Sequence, residues 1–291
     1  MRLAVTGGTG LVGRFIVEAA LAAGAAVTVM SRNAPPPGFF SAPVAHLPYD
    51  LAGAVQLPEG CDALVHAAFS HLPGRYRDGE GNDPAGFLRT NLDGTLRLFG
   101  TARRSGVARL VFVSSRAVYG GYPQGTRLFE DMPPRPDTLY GEVKLEAEAA
   151  LAAMAAPGFQ TVSLRATGVY GPAGPGQRHK WQGLFDDFRN RRAIAPRIAT
   201  EVHGDDLARA VLAVLTGAGA GPARILNASD IVLDRRDLLA EVQKLAGWTG
   251  DLPERADASR VSAMDCTGLR LMGWQPGGIA ALHASLPAML T

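Results

Sequence analysis

Lysine is almost absent from this sequence. Of 29 basic side chains only three are Lys, at positions 144, 180 and 244, and the first 143 residues contain none. Cysteine is nearly as scarce. Cys61 and Cys266 sit in no C-x-x-C or Cys/His spacing, which excludes a disulfide scaffold and suggests no metal site. No apolar run reaches the roughly 18 residues of a membrane-spanning helix, because Gly, Pro or a charge interrupts each one. An excess of one charge is missing too: 29 basic against 27 acidic groups leave a formal +2, with no footprint for nucleic acid and no polybasic membrane patch. Met1-Arg2 leads at once into an apolar strand, without the apolar stretch and cleavage site of a signal peptide. A reduced, cytoplasmic protein is expected. A last absence is local: no acidic residue lies between Glu18 and Asp50.

What is present is a chain of 291 residues, 47% hydrophobic, long enough for one large domain or two small ones. Short apolar runs at Leu3–Thr6, Ala26–Met30, Val44–Leu47, Ala63–Ala67, Leu110–Ser114 and Thr161–Arg165 read as strands. Between them lie helical stretches, notably Leu11–Ala23, Pro84–Ser105 and Thr138–Ala156. This alternation predicts an α/β fold with a doubly wound parallel sheet, whose ligands bind at the carboxyl ends of the strands. From Gly171 the alternation breaks into a Gly/Pro-rich stretch and an aromatic and basic segment, His179–Arg197. A helix at Asp205–Gly217, a strand at Arg224–Asn227 and a mainly helical end follow. The expected layout is a main domain over 1–171 and about 205–229. A small, mainly helical C-terminal lobe from about 172–204 and 230–291 would roof its cleft.

Thr6-Gly7-Gly8-Thr9-Gly10-Leu11-Val12-Gly13 joins the first strand to the first helix. Glycines there permit a tight turn and a close backbone approach to a pyrophosphate, which the helix N-terminus stabilises. A dinucleotide site is therefore expected at Gly7, Thr9, Gly10, Leu11, Val12 and Gly13. An NAD-selective site places an acid about 20 residues further on. Here Arg32 takes that place, with a guanidinium suited to a 2′-phosphate and a hydroxyl donor beside it in Ser31, so NADP(H) is preferred over NAD(H).

Tyr140 and Lys144 begin a helix and share one face, one turn apart. A chain that writes nearly every cation as Arg has kept a Lys there. A compact ammonium can bond a ribose and depress a phenol's pKa, for which an Arg fork is the wrong shape. Such a phenol can exchange a proton with an alcohol or carbonyl. Ser114 and Ser115 end a central strand and offer hydroxyls to the reacting oxygen.

Together these residues resemble the extended short-chain dehydrogenases/reductases, the NAD-dependent epimerase/dehydratase family. The likeness runs in order through TGGTGLVG, Asp50-Leu51, Val65-His66-Ala67-Ala68, Asn91-x-x-Gly94-Thr95, Ser114-Ser115-x-x-Val118-Tyr119-Gly120, Tyr140-x-x-x-Lys144, Leu164-Arg165-x-x-x-Val169-Tyr170-Gly171-Pro172 and Val202-His203-Gly204-Asp205-Asp206. The resemblance implies a Rossmann-type domain and a Ser115–Tyr140–Lys144 triad. Tyr140 would be the general acid/base, Lys144 its electrostatic partner and ribose ligand, and Ser115, rather than Ser114, the group orienting the substrate oxygen. It also implies cofactor contacts from Asp50, Leu51, His66, Ala67 and Ala68, and a mainly structural Asn91.

Departures from the family pattern narrow the expectation. Ser115-Arg116-Ala117 stands where sugar-nucleotide dehydratases carry an acid pair, so water elimination is not expected. Ala199 stands where many sugar-nucleotide enzymes have a pyrophosphate-gripping Arg. The expected activity is hydride transfer to or from a secondary alcohol or carbonyl of a small sugar-like or hydroxycarbonyl substrate. The alternatives are a nucleotide-sugar epimerase or reductase and a non-catalytic dinucleotide sensor. Candidate substrate contacts are His71 and Arg116, with His179, Lys180 and Trp181 beyond the Gly/Pro segment; Arg75, Tyr76 and Arg77 belong to the same loop as His71. His66 and His203 read as structural or cofactor-lining. A homodimer is expected by analogy, through helices Pro84–Ser105 and Thr138–Ala156.

Overall fold

The computed structural model describes residues 1–72, 79–217 and 223–290, so Arg75, Tyr76 and Arg77 lie outside the described residues. The chain runs β1 (Arg2–Thr6), α1 (Leu11–Ala22), β2 (Ala26–Ser31), β3 (Ala45–Pro48), β4 (Ala63–His66), α2 (Pro84–Leu88), α3 (Gly94–Arg104), β5 (Arg109–Ser115), α4 (Leu139–Met154), β6 (Gln160–Ala166), β7 (Gly168–Tyr170), α5 (Gln182–Arg189), β8 (Ile198–His203), α6 (Gly204–Thr216), β9 (Ala223–Ala228), β10 (Ile231–Asp234), α7 (Arg235–Ala246), α8 (Thr267–Arg270) and α9 (Gly278–Met289).

Seven strands form one parallel sheet in the order β3-β2-β1-β4-β5-β6-β9. Side chains alternate across it, and the alternation builds two cores. Leu3, Val5, Val29, Val65, Val111 and Val113 face α1 and α6. Their neighbours Ala4, Met30, Leu64, Leu110 and Phe112 face α3 and α4 on the other side. This is the doubly wound sheet expected from the sequence. Its strand order reverses between β1 and β4, and a ligand crevice opens at the carboxyl ends of such a pair.

Beyond β6 the chain builds a second sheet, β10-β8-β7, over a core of its own. Tyr170, Trp181, Phe185, Phe188, Leu238, Leu282 and Leu286 are buried there. The regular structure of the C-terminal lobe is mainly helical, through α5, α7, α8 and α9, as expected. The strands β8 and β10, of six and four residues, add to it, and 247–257 has no regular structure. Strands this short carry too little alternation to be read from a sequence. The helical stretch expected at Pro84–Ser105 runs without a break over 84–104, with a π-helical turn at Arg89–Asp93 between α2 and α3.

Candidate active site

Gly7 leaves β1 with φ +66°, in the left-handed region that favours glycine. A Cβ on it would stand 2.8 Å from the backbone of Ala68, which follows β4, so turn and strand end meet without side chains between them. A Cβ on Gly13 would run into the Gly7 carbonyl. Gly10 precedes α1 without a side-chain cap, and the first turn of α1, with Leu11 and Val12, holds no acid. Thr9 accepts a bond at its carbonyl from Gln177 Nε2, 2.5 Å away, which ties the Gly/Pro segment to the turn. A glycine cradle before a helix N-terminus with uncapped amides fits a dinucleotide pyrophosphate.

At the end of β2, Arg32 is exposed, whereas Ser31 is buried and its hydroxyl donates to the Asn33 carbonyl at 2.8 Å. The Ser31 hydroxyl thus bonds within its own loop, and Arg32 is the exposed residue after it. Asp50 is exposed and accepts from the Ala52 amide at 2.9 Å, while the Leu51 carbonyl accepts from Arg97 at 2.7 Å. His66 ends β4 fully buried, between Thr6 Oγ1 (2.6 Å) and Thr95 Oγ1 (2.9 Å), with its ring stacked on Phe112. Burial, aided by the Lys144 charge, holds its pKa down at about 3. His66 is a neutral strut under the cleft. Past it, Ala67 and Ala68 are half-buried, and Asn91 fastens the strand end. Its amide donates to the Ser70 and Phe87 carbonyls (2.8 and 3.1 Å) and its oxygen accepts from the Ser70 amide at 2.7 Å.

The triad candidates come together at the end of β5. Ser115 is half-buried and accepts from the Ala117 amide at 3.1 Å, capping the short 3-10 turn Arg116–Tyr119. α4 begins against that turn: a Cβ on Gly141, the residue after Tyr140, would stand 2.7 Å from the Ala117 carbonyl. Lys144 follows one turn on, only 4% exposed, and its ammonium donates to the Val113 carbonyl at 2.8 Å. The Lys144 Nζ lies 4.6 Å from the Phe69 ring centre, 4.5 Å from that of Phe112 and 5.8 Å from that of Tyr140. Phe69 meets Tyr140 edge to face at 5.0 Å. Burial presses the Lys144 pKa down to about 7, with the Glu148 charge opposing.

Alternation sends Ser114 the other way. It is buried, and its hydroxyl donates to Glu148 Oε1 at 2.5 Å. Glu148 also takes three bonds from Arg165, at 2.6 to 3.1 Å, and Arg165 reaches on to the Tyr119 hydroxyl at 2.6 Å. Both partners of this ion pair are 2% exposed. Glu148 was legible as the next member of the i, i+4 series after Tyr140 and Lys144, and Arg165 as a charge inside an apolar strand. Phe69 carried no signal of its own.

The substrate candidates divide. Arg116 donates twice to the Ser262 carbonyl (3.2 and 3.0 Å), binding the turn after Ser115 to the segment before α8. His71 is half-buried in the loop after β4, its Nδ1 2.7 Å from the Leu72 carbonyl. His179 and Trp181 pack into the second core. Both are buried: Trp181 stacks on Tyr170 at 4.9 Å, and His179 accepts from the Trp181 amide. Lys180 between them keeps partial exposure and pairs with Glu201 beside Gly168, where a Cβ would collide with both charged groups. His203 caps α6 through its Nδ1, 3.1 Å from the Asp205 amide. No cluster of three or more His, Cys, Asp or Glu suited to a metal occurs among the described residues, and none of their helices is long and apolar enough to cross a membrane.

A pyrophosphate cradle at the switch point of a doubly wound sheet, with a buried Lys under a Tyr at the adjacent strand end, defines a dinucleotide-dependent Rossmann-type enzyme. The chain belongs to the NAD-dependent epimerase/dehydratase family, whose model matches residues 3–229. It is 31% identical over 219 residues to a UDP-glucose 4-epimerase of Lacticaseibacillus casei, a match covering 71% of this chain and 64% of the relative, just under two thirds of that protein's length. It is 29% identical over 312 residues to a dTDP-glucose 4,6-dehydratase of Streptomyces niveus, covering 95% of this chain and 88% of the relative. Among solved structures it is similar to the NAD complex of a Thermus thermophilus UDP-glucose 4-epimerase, with TM-score 0.78, 27% identity and nearly complete coverage of both chains.

Proposed function

We propose that this protein is an NAD(P)(H)-dependent oxidoreductase or epimerase that moves hydride to or from a secondary alcohol or carbonyl carbon of a sugar-like or hydroxycarbonyl substrate. The observation that carries the reading is Lys144. Only three Lys occur in the chain, and this one is buried beneath Tyr140 with its ammonium on a strand-end carbonyl. The glycine cradle would hold the pyrophosphate, Asp50 and Leu51 the adenine end, and Lys144 a ribose hydroxyl. The bound nicotinamide supplies hydride acceptance and donation. Tyr140 then takes the proton from the substrate hydroxyl, or returns it to the carbonyl oxygen, at its phenol oxygen. Lys144 favours the phenolate by its adjacent charge, and the aromatic wall of Phe69 and Phe112 keeps water from that ammonium. Ser115 would orient the substrate oxygen, because it is half-buried and turned away from Glu148, on which the Ser114 hydroxyl is spent.

Arg32, exposed and with no acid nearby in sequence, supports NADP(H) over NAD(H). Arg116, Lys180 and His71 remain the substrate-side candidates, Lys180 in a lobe formed by about 172–204 and 230–291 and the other two on the main domain. A nucleotide-sugar epimerase is the second reading, favoured by the UDP-glucose 4-epimerase relative described above. A homodimer through α3 and α4, and a reduced cytoplasmic setting consistent with two unpaired buried cysteines, complete the proposal. The test is a panel of sugars, uronates, UDP-sugars and simple hydroxycarbonyls with each cofactor, scored for nicotinamide absorbance and for epimer formation. Turnover of at least one class is expected. Absence of both cofactor binding and turnover across the panel would overturn the reading.

A further inference from the structure

Glu148 lies one turn beyond Lys144 and two beyond Tyr140 on the buried face of α4, and the mechanism above gives it no role. We propose that Glu148 is a positioning residue: with Arg165 and Ser114 it fixes the end of β5 against α4 and supplies the negative charge that holds Lys144 as an ammonium. The inference rests on the reading of Lys144 as part of the site.

The geometry is a two-point grip. α4 holds Val113 through the Lys144 ammonium, 2.8 Å from its carbonyl, and holds Ser114 through the Glu148 carboxylate, 2.5 Å from its hydroxyl. These are the two residues immediately before Ser115. Arg165 stands directly across the ladder from Ser114 on β6 and grips the carboxylate with three bonds from two nitrogens, Nε and Nη2. Its remaining arm donates to Tyr119 at 2.6 Å, and the Tyr119 hydroxyl lies 3.0 Å from the Phe129 carbonyl and 3.1 Å from Asn227 Oδ1. Ser115 is thus bracketed within one buried network, by Ser114 before it and by Tyr119 after it.

The electrostatics agree. The surroundings of Lys144 are the neutral His66, the faces of Phe69 and Phe112, the Tyr140 ring, the Val113 carbonyl and Glu148. Among the described residues around Lys144, Glu148 is the carboxylate, and its charge, offset in part by Arg165, opposes deprotonation of a buried ammonium.

Lysine scarcity makes the test direct. Protein labelled at the lysine side-chain termini gives three NMR signals, and Lys144 is assigned by its loss in Lys144→Met. Glu148→Gln keeps the volume and removes the charge. The Lys144 titration midpoint is expected to fall by about one pH unit or more, the scale of a nearby charge, while those of Lys180 and Lys244 stay in place. Glu148→Asp, which keeps the charge, should restore most of the loss. An unmoved Lys144 midpoint in folded Glu148→Gln overturns the proposal, because a merely structural carboxylate would alter stability alone. Should Arg165 left unpaired prevent folding, the double variant Glu148→Gln/Arg165→Met removes both charges and must show a downward shift of the same sign, smaller because the opposing Arg165 charge is lost too. The readout needs no substrate: a shift without turnover on the panel above leaves the positioning role standing and defeats the proposed function instead.

Discussion

Lys144 is the residue on which most of the proposed chemistry converges, and its burial has a consequence for stability. A Lys whose folded pKa lies near 7 binds a proton in the unfolded chain, but not in the folded one, from there up to its ordinary value near 10.4. Its contribution to stability is therefore full above that ordinary value and lost as pH falls toward 7. The cofactor-free protein should gain stability relative to Lys144→Met between about pH 7 and pH 9, read as the difference in denaturant midpoints. A flat difference would show the ammonium to be solvated. At the other end of the cleft, Arg32→Ala should weaken NADP far more than NAD, since a lost charge-assisted contact is worth about 1.5–3 kcal/mol. Equal losses for the two cofactors would remove the basis for the preference. Much at this scale was legible, because a scarce residue type at a fixed spacing from Tyr140 is a signal that no structure is needed to see. Ser31 was not. Its hydroxyl turns to the Asn33 carbonyl, a choice made by loop geometry.

At the scale of elements, the glycine turn and α1 were read within a residue or so, since a parallel strand buried on both faces and a Gly-marked helix start are both local patterns. The π-helical turn at Arg89–Asp93 was hidden, because the stretch around it is uniformly helix-forming. At that turn Asn91 directs its amide to the Ser70 carbonyl outside the helix and the Phe87 carbonyl one turn back, and its oxygen takes the Ser70 amide. Asn91→Ala leaves the Ser70 amide and carbonyl without these partners and should cost about 1–3 kcal/mol. The loop carrying Phe69 should loosen with it, so that cofactor affinity falls together with the denaturation midpoint. A variant with an unchanged midpoint would make the clamp incidental. For His179 and Trp181 the packing was not legible. Beside a Gly/Pro segment they read as cleft residues, yet stacking on Tyr170 and burial beside Phe185 claim them for the second core.

For the whole molecule, the doubly wound sheet was legible because its period-2 and period-3.6 stretches alternate through 165 residues, and alternation constrains topology strongly. The second sheet was not, because β7, β8 and β10 pair across long sequence separations and only one of the three, β8, is longer than four residues. The proposed homodimer is checked by sedimentation, which should give twice the 30.5 kDa chain mass. A monomer at all working concentrations would remove that part of the proposal. The central claim is that Tyr140 moves the proton while hydride moves at the cofactor. It is tested most directly by Tyr140→Phe, measured for cofactor affinity and for turnover of whichever substrate class the panel identifies. The expected result is cofactor affinity within about threefold of wild type and a fall in kcat of about 10²–10⁴-fold, the usual span of general acid–base catalysis. Retained turnover in a variant that binds cofactor normally would contradict it.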